Sequence, residues 1–137
     1  MAYKAGLGYF TTGGTHQLAN GDVGFFTVTG TVIVKLIYAI MTIIGGANTA
    51  GFYCAGTGIT RVAWCVGADI NAGIVGDVIA INSVAGTLTT CITGVSAGYH
   101  LVAPAGVIGM FGSAADTTLT AYCYWIPMTA GANVVLL

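Results

Sequence analysis

The stretch 30-GTVIVKLIYAIMTIIGG-46 is the most hydrophobic passage of the chain, and whether it is a membrane helix or a buried strand decides the fold. Its apolar run proper, Val32 to Ile44, is interrupted by Lys35 and Thr42 and followed by Gly45-Gly46-Ala47-Asn48-Thr49. A spanning helix needs about 20 mostly apolar residues, and the residues that follow are turn chemistry that helices tolerate badly. The run is β-branched and aromatic, with Val32, Ile33, Val34, Ile37, Tyr38, Ile40, Ile43 and Ile44, which is strand composition. We read one long strand, or two joined at a bulge.

A strand of a transmembrane β-barrel would alternate apolar with polar residues facing a wet lumen. This one does not: Val32, Val34, Leu36, Tyr38 and Ile40 occupy one parity, and Ile33, Ile37, Ala39, Met41 and Ile43 surround Lys35 on the other. A strand that is apolar on both faces is covered on both. One face belongs to the domain's own core and the other needs a partner. Taken as one regular strand, 32-VIVKLIYAI-40 places the lysine-bearing set, Ile33, Lys35, Ile37 and Met41, at a subunit interface and Ile40 in the core.

The composition points the same way. The chain has 137 residues, enough for one domain with a real core, of which 56% are hydrophobic and only 5% charged; soluble domains usually carry about 25% charge. With a net charge of −1, little electrostatic repulsion keeps copies apart in water. Lys4, Lys35 and Arg61 are too few and too scattered in sequence to neutralise a phosphate backbone, so nucleic acid is an unsuitable partner. The opening MAYKAGLGYFTTGG has no continuous apolar core of a signal peptide, and synthesis in a cytoplasm without export is the expectation.

Twenty-two glycines and two prolines, with many Thr and Val, indicate strands and tight turns. Strand-like runs separated by turn residues are expected at Val23–Thr29, Thr31–Ile44, Thr49–Ala55, Ile59–Val66, Asp77–Ser83, Thr87–Thr93, Tyr99–Ala103, Val107–Gly112, Thr117–Ile126 and Asn133–Leu137. This spacing predicts an all-β sandwich or barrel. Residues 1–20, rich in glycine and threonine, are expected to form an extended arm, and residues 21–137 a single sandwich domain.

Chemistry is sparse. Cys54, Cys65, Cys91 and Cys123 contain no C-x-x-C pair to seed a zinc site, and each lies in an apolar run that suits a buried free thiol. Asp22, Asp69 and Asp77 stand beside glycine or in turn clusters, where aspartate serves its own backbone. The letters 94-GVSAG-98 match a nucleophile elbow, but the following Tyr99–Pro104 reads as a strand where that motif requires a helix. His16 and His100 have no evident catalytic partners. No enzyme, metal or cofactor is expected.

The succession 26-FTVTG-30, 32-VIVKLIYAIMTIIGG-46, 76-GDVIA-80, 104-PAGVI-108, 118-TLTAYCYWIPM-128 and Gly131 to Val135 resembles the small capsid decoration, or cement, proteins of tailed bacteriophages. The resemblance covers Val23 to the C-terminus as strand phrases. It implies a jelly-roll-type β-sandwich that forms a homotrimer on the outer surface of an icosahedral head, over junctions between major capsid protein capsomers, after assembly in the host cytoplasm. No family site residue carries over. The arm, with Tyr3, Lys4, Tyr9, Phe10 and His16, is the expected capsid contact. The rival expectation is a carbohydrate- or receptor-binding module of a phage fibre or cell surface. Against it, Trp64 and Trp125 fall in strands, whereas such a site would use aromatic residues on loops.

Overall fold

The computed structural model describes residues 8–65, 67–71, 73–81, 88–91 and 101–137, of which 88–91 as strand backbone alone. These residues form strands and no helix. In order they are β1 (Tyr9–Gln17), β2 (Gly21–Thr29), β3 (Val32–Ile43), β4 (Thr49–Gly56), β5 (Val62–Ala63), β6 (Ala68–Asp69), β7 (Val78–Ile81), β8 (Leu88–Cys91), β9 (Leu101–Ala103), β10 (Gly106–Gly112), β11 (Thr118–Pro127) and β12 (Asn133–Leu136).

Two antiparallel sheets result. Sheet A runs β1-β11-β3-β7-β8 with β9 also on β3, and sheet B runs β12-β2-β10-β4-β5 with β6 also on β4. The first four strands alternate between sheets, so each short turn carries the chain across the sandwich. The interior is filled from sheet A by Val32, Val34, Ile37, Ala39, Met41, Leu119, Ala121, Cys123 and Trp125, and from sheet B by Phe25, Phe26, Phe52, Ile108 and Met110. Each large side chain removed from water contributes about 1.5–3 kcal/mol, and this layer holds the sheets together.

Bulges set which residues face inward. Phe26 pairs with Ile108 and Gly24 with Gly109, leaving Phe25 as an extra residue; Phe25 and Phe26 are consequently both buried. In β3, Val34 pairs with Trp125 and Leu36 with the adjacent Tyr124, leaving Lys35 extra. A bulge of this kind breaks the period-two alternation. Val32 and Val34 point inward before it, and Ile37, Ala39 and Met41 after it.

That bulge corrects two expectations of a regular strand. Ile37 and Met41, expected at a subunit interface, are 3% and 1% exposed within a single subunit and belong to its core. Ile40, expected in the core, is half-buried on the opposite face.

The arm is corrected over part of its length. Tyr9–Gln17 pairs with β11 from Tyr9↔Trp125 to Gln17↔Thr118, and Leu18 is a core residue. Its Gly13 and Gly14 make a bulge between Thr12 and Thr15, where Gly14 takes a φ of 67° that side chains resist. Gly13 is closely overlaid by Phe26, whose Cζ would stand 2.7 Å from any Cβ there. Tyr3 and Lys4 lie outside the described residues.

Candidate interface on the outer face of sheet A

β11 alternates cleanly. Leu119, Ala121, Cys123 and Trp125 are buried, while Thr118, Thr120, Tyr122, Tyr124 and Ile126 face outward. Its register with β3 and β1 sets these beside outward residues of both neighbours. Ile126 lies across from Ile33, Tyr124 between Leu36 and Phe10, Tyr122 between Tyr38 and Thr12, and Thr120 between Ile40 and Thr15. Ile33 is flanked in turn by Val102 of β9.

The centre of this face is aromatic. Tyr38 and Tyr122 stack with centroids 5.0 Å apart at 18°, and Phe10 lies 5.9 Å from Tyr122 and 6.4 Å from Tyr38. Such pairs add about 0.5–1.5 kcal/mol beyond their buried area, so the cluster is ordered before any partner arrives. Burial, and secondly the neighbouring Tyr122, raise the Tyr38 phenol above its ordinary pKa. One end is polar but neutral: Thr15 and Thr120 share a 2.7 Å hydrogen bond, and Thr42 donates to the Thr118 carbonyl at 3.2 Å. The Tyr124 hydroxyl accepts from Gly8 N–H at 2.7 Å. Lys35 is the single charged residue among these outward positions of β1, β3 and β11.

Sheet B is different outside. Arg61 pairs with Asp22 and lies 4.4 Å above the Phe111 ring. Tyr53 covers Gly109, where an added Cβ would meet its ring at 2.9 Å. Sheet B thus carries a charged pair and also exposes Val62, Val135 and Leu136; sheet A, with Phe10 and Ile43 exposed, differs from it in its near absence of charge and its stacked aromatic centre.

Of the residues named from sequence, Ile33, Lys35 and Phe10 lie on this face, Phe10 being 55% exposed. Tyr9 points to the other side of β1 and stacks on Trp125 at 4.9 Å. His16 turns its edge to Phe25, 4.9 Å between centroids, with Nε2 hydrogen-bonded to the Gly13 carbonyl at 2.9 Å. It is half-buried, with one side of the ring held by these contacts. Tyr38, Tyr122 and Tyr124 were not singled out from sequence, and Ile40 was placed in the core. The alternation of 118-TLTAYCYWI-126 carried the signal for the two on β11.

The remaining ionisable groups serve local structure. Asp69 accepts from Asn71 N–H at 2.9 Å, and Asp77 from Ile74 N–H at 2.9 Å. Asp116 binds Gly46 N–H at 2.7 Å and Asn48 Nδ2 at 2.9 Å, and the Asn48 bond is the largest of the causes holding its carboxyl below the ordinary value. Cys54, Cys65 and Cys123 are free and buried, and burial pushes the Cys123 thiol up to about 12, out of the nucleophilic range. Among the described residues no three His, Cys, Asp or Glu side chains converge on a metal site, and no helix is long and apolar enough to cross a membrane. His100 and the 94-GVSAG-98 stretch lie outside the described residues.

No family model matches the chain, and neither a curated protein nor a solved structure matches it.

Proposed function

We propose that the chain is a structural virion protein, a capsid decoration protein that binds the outer surface of an icosahedral phage head as a homotrimer and ties major capsid protein capsomers together. The observation that carries this is the outer face of sheet A: three adjacent strands, one charge, and an ordered aromatic centre. Interface cores are depleted of charge and enriched in aromatic residues, and obligate ones resemble a domain core cut in half. A chain with a net charge of −1 has little repulsion to overcome when copies meet there.

The strand order supports reading the sandwich as a jelly roll. β1, β11, β3 and β9 run as neighbours in one sheet, and β2, β10, β4 and β5 in the other, so early strands of the chain pair with late ones in both sheets. Two Greek keys wound in this way are an architecture of viral capsid and lectin domains.

The number three and the phage head rest on the resemblance of the strand phrases to cement proteins. A trimer offers three equal contact patches, and contacts that are weak singly add up once the first is made. Such fastening works by surface complementarity and draws on no cofactor, nucleic acid or membrane. The test is co-purification with intact heads. A fixed ratio to the major capsid protein, with a trimer in sedimentation of the free protein, is expected; a folded monomer that leaves heads bare overturns the proposal.

A further inference from the structure

We infer that Asn20 is a site of spontaneous covalent modification, at which the side-chain amide is converted through a succinimide to aspartate and isoaspartate. Asn20-Gly21 is the one Asn-Gly step in the chain, and no Asp-Gly step occurs. It stands where the chain, having left β1 of sheet A at Gln17, enters β2 of sheet B at Gly21. Asn20 is exposed, and no described residue is hydrogen-bonded to its amide. Gly21 takes a φ of 136°, and a Cβ built on it would meet nothing within 4 Å. The glycine side of the reacting pair is therefore open.

The chemistry needs only water. The Gly21 backbone nitrogen gives up its proton and bonds to Asn20 Cγ, and ammonia leaves as the ring closes. Water then adds to one of the two ring carbonyls. Opening at Cγ breaks the new C–N bond and leaves aspartate. Opening at the main-chain carbonyl breaks the original peptide bond and leaves isoaspartate, with the backbone routed through Cβ and Cγ. Glycine favours the first step because no side chain shields its nitrogen and its backbone is free to follow the ring.

The other described asparagines lack this combination. Asn48 is 2% exposed, and its amide is spent on the Ala114 carbonyl and the Asp116 carboxylate, both at 2.9 Å. Asn133 directs its side-chain oxygen onto Val134 N–H at 2.9 Å, so the nitrogen that would attack is held, and a β-branched residue crowds it. Asn71 is exposed but precedes Ala72, whose methyl group a glycine lacks. Either product at residue 20 adds a carboxylate close in sequence to Asp22, the partner of Arg61, and makes the net charge of −1 more negative. Isoaspartate also lengthens the main chain by one atom just before the Gly21↔Gly112 and Asp22↔Phe111 pairs.

The experiment incubates the intact purified protein at mildly alkaline pH, folded and in urea, and follows by mass spectrometry the tryptic peptide 5–35. Cleavage after Lys4 and Lys35 releases it, and Asn20 is its one asparagine. The folded protein is expected to gain the mass that separates an acid from its amide, with aspartate and isoaspartate forms resolved by chromatography. Its rate should lie within about tenfold of that of the unfolded chain, the slowing imposed by a local opening of about 1.4 kcal/mol. Conversion should quicken as pH rises, because the attacking nitrogen must lose its proton, and should vanish from this peptide in Asn20→Gln. A folded rate slower by more than about tenfold overturns the inference, since the pairing of Gly21 with Gly112 would then protect the site. Conversion of another asparagine ahead of Asn20 overturns it too, as does a mass gain that persists in Asn20→Gln and so belongs to Gln17.

Discussion

Val34 and Ile37 lie three positions apart in β3, yet both side chains point into the core, at 1% and 3% exposure. In a regular strand an odd separation puts residues on opposite faces. The extra residue Lys35 between them changes the parity, and with it the surface that the strand shows to the outside. Ile37→Lys should therefore cost about 3–5 kcal/mol, enough to unfold much of a small domain, because it buries an unpaired ammonium. Ile40→Lys, on the outer face, should change subunit melting by less than about 1 kcal/mol while abolishing self-association. Thermal melts and sedimentation of the two variants check this.

Deleting Lys35 removes the bulge itself. The residues on one side of position 35 would then have to present their polar or crowded face to the core. A cooperative thermal transition in circular dichroism should be lost, whereas Lys35→Ala, which keeps the residue count, should retain it.

The Tyr38–Tyr122 stack offers a cleaner probe of assembly. Truncation of Tyr122 to Ala removes a ring that lies on the surface, so the subunit should lose no more than about 1–1.5 kcal/mol. Sedimentation should shift from trimer to monomer. A trimer that persists in Tyr122→Ala with unchanged dissociation would place the contact elsewhere on the molecule.

β1 is expected to be indispensable. Removal of residues 1–17 takes away the partner of Trp125 Nε1, the Tyr9 ring stacked on it, and every hydrogen bond between β1 and β11. Uncovering the Trp125 ring alone costs about 1.5–3 kcal/mol. The truncated chain should fail to give a cooperative melt, a result opposite to that expected of a detachable arm.

Asn48 and Asp116 lock the turn after β3 to the turn before β11. Asn48 is 2% exposed, donates to the Ala114 carbonyl at 2.9 Å and accepts from Ser113 N–H at 3.0 Å. Asn48→Ala should cost about 1–3 kcal/mol by stranding those partners. Because the folded carboxyl of Asp116 sits below its ordinary value, its contribution is complete above the unfolded value of about 3.9 and is lost as pH falls through the lower folded value. Melting temperature should decline in that acid window, and Asp116→Asn should flatten the decline. An unchanged acid slope would assign it to another carboxylate.

Much of the sandwich was legible because its strands follow the period-two rule between turn residues. Val107–Gly112 and Thr117–Ile126 were expected, and Gly106–Gly112 and Thr118–Pro127 are found. Bulges are where the reading broke. Gly13 and Gly14 disguised β1 as an extended arm, and Lys35 exchanged the faces of β3, so that Ile37 and Met41, grouped with Ile33 and Lys35 at an interface, lie in the core instead. A bulge is fixed by which strands pair, and pairing between β1 and β11 or β3 and β11 joins residues far apart in the chain. Local sequence does not encode it.

The most direct measurement is an electron cryomicroscopy map of phage heads bearing the protein. The proposal predicts threefold protrusions on the outer surface, with the Phe10, Tyr38 and Tyr122 faces of sheet A turned toward one another about the axis and capsomer junctions beneath them. Subunits standing singly with that face in solvent, or heads on which no such density forms, would contradict it.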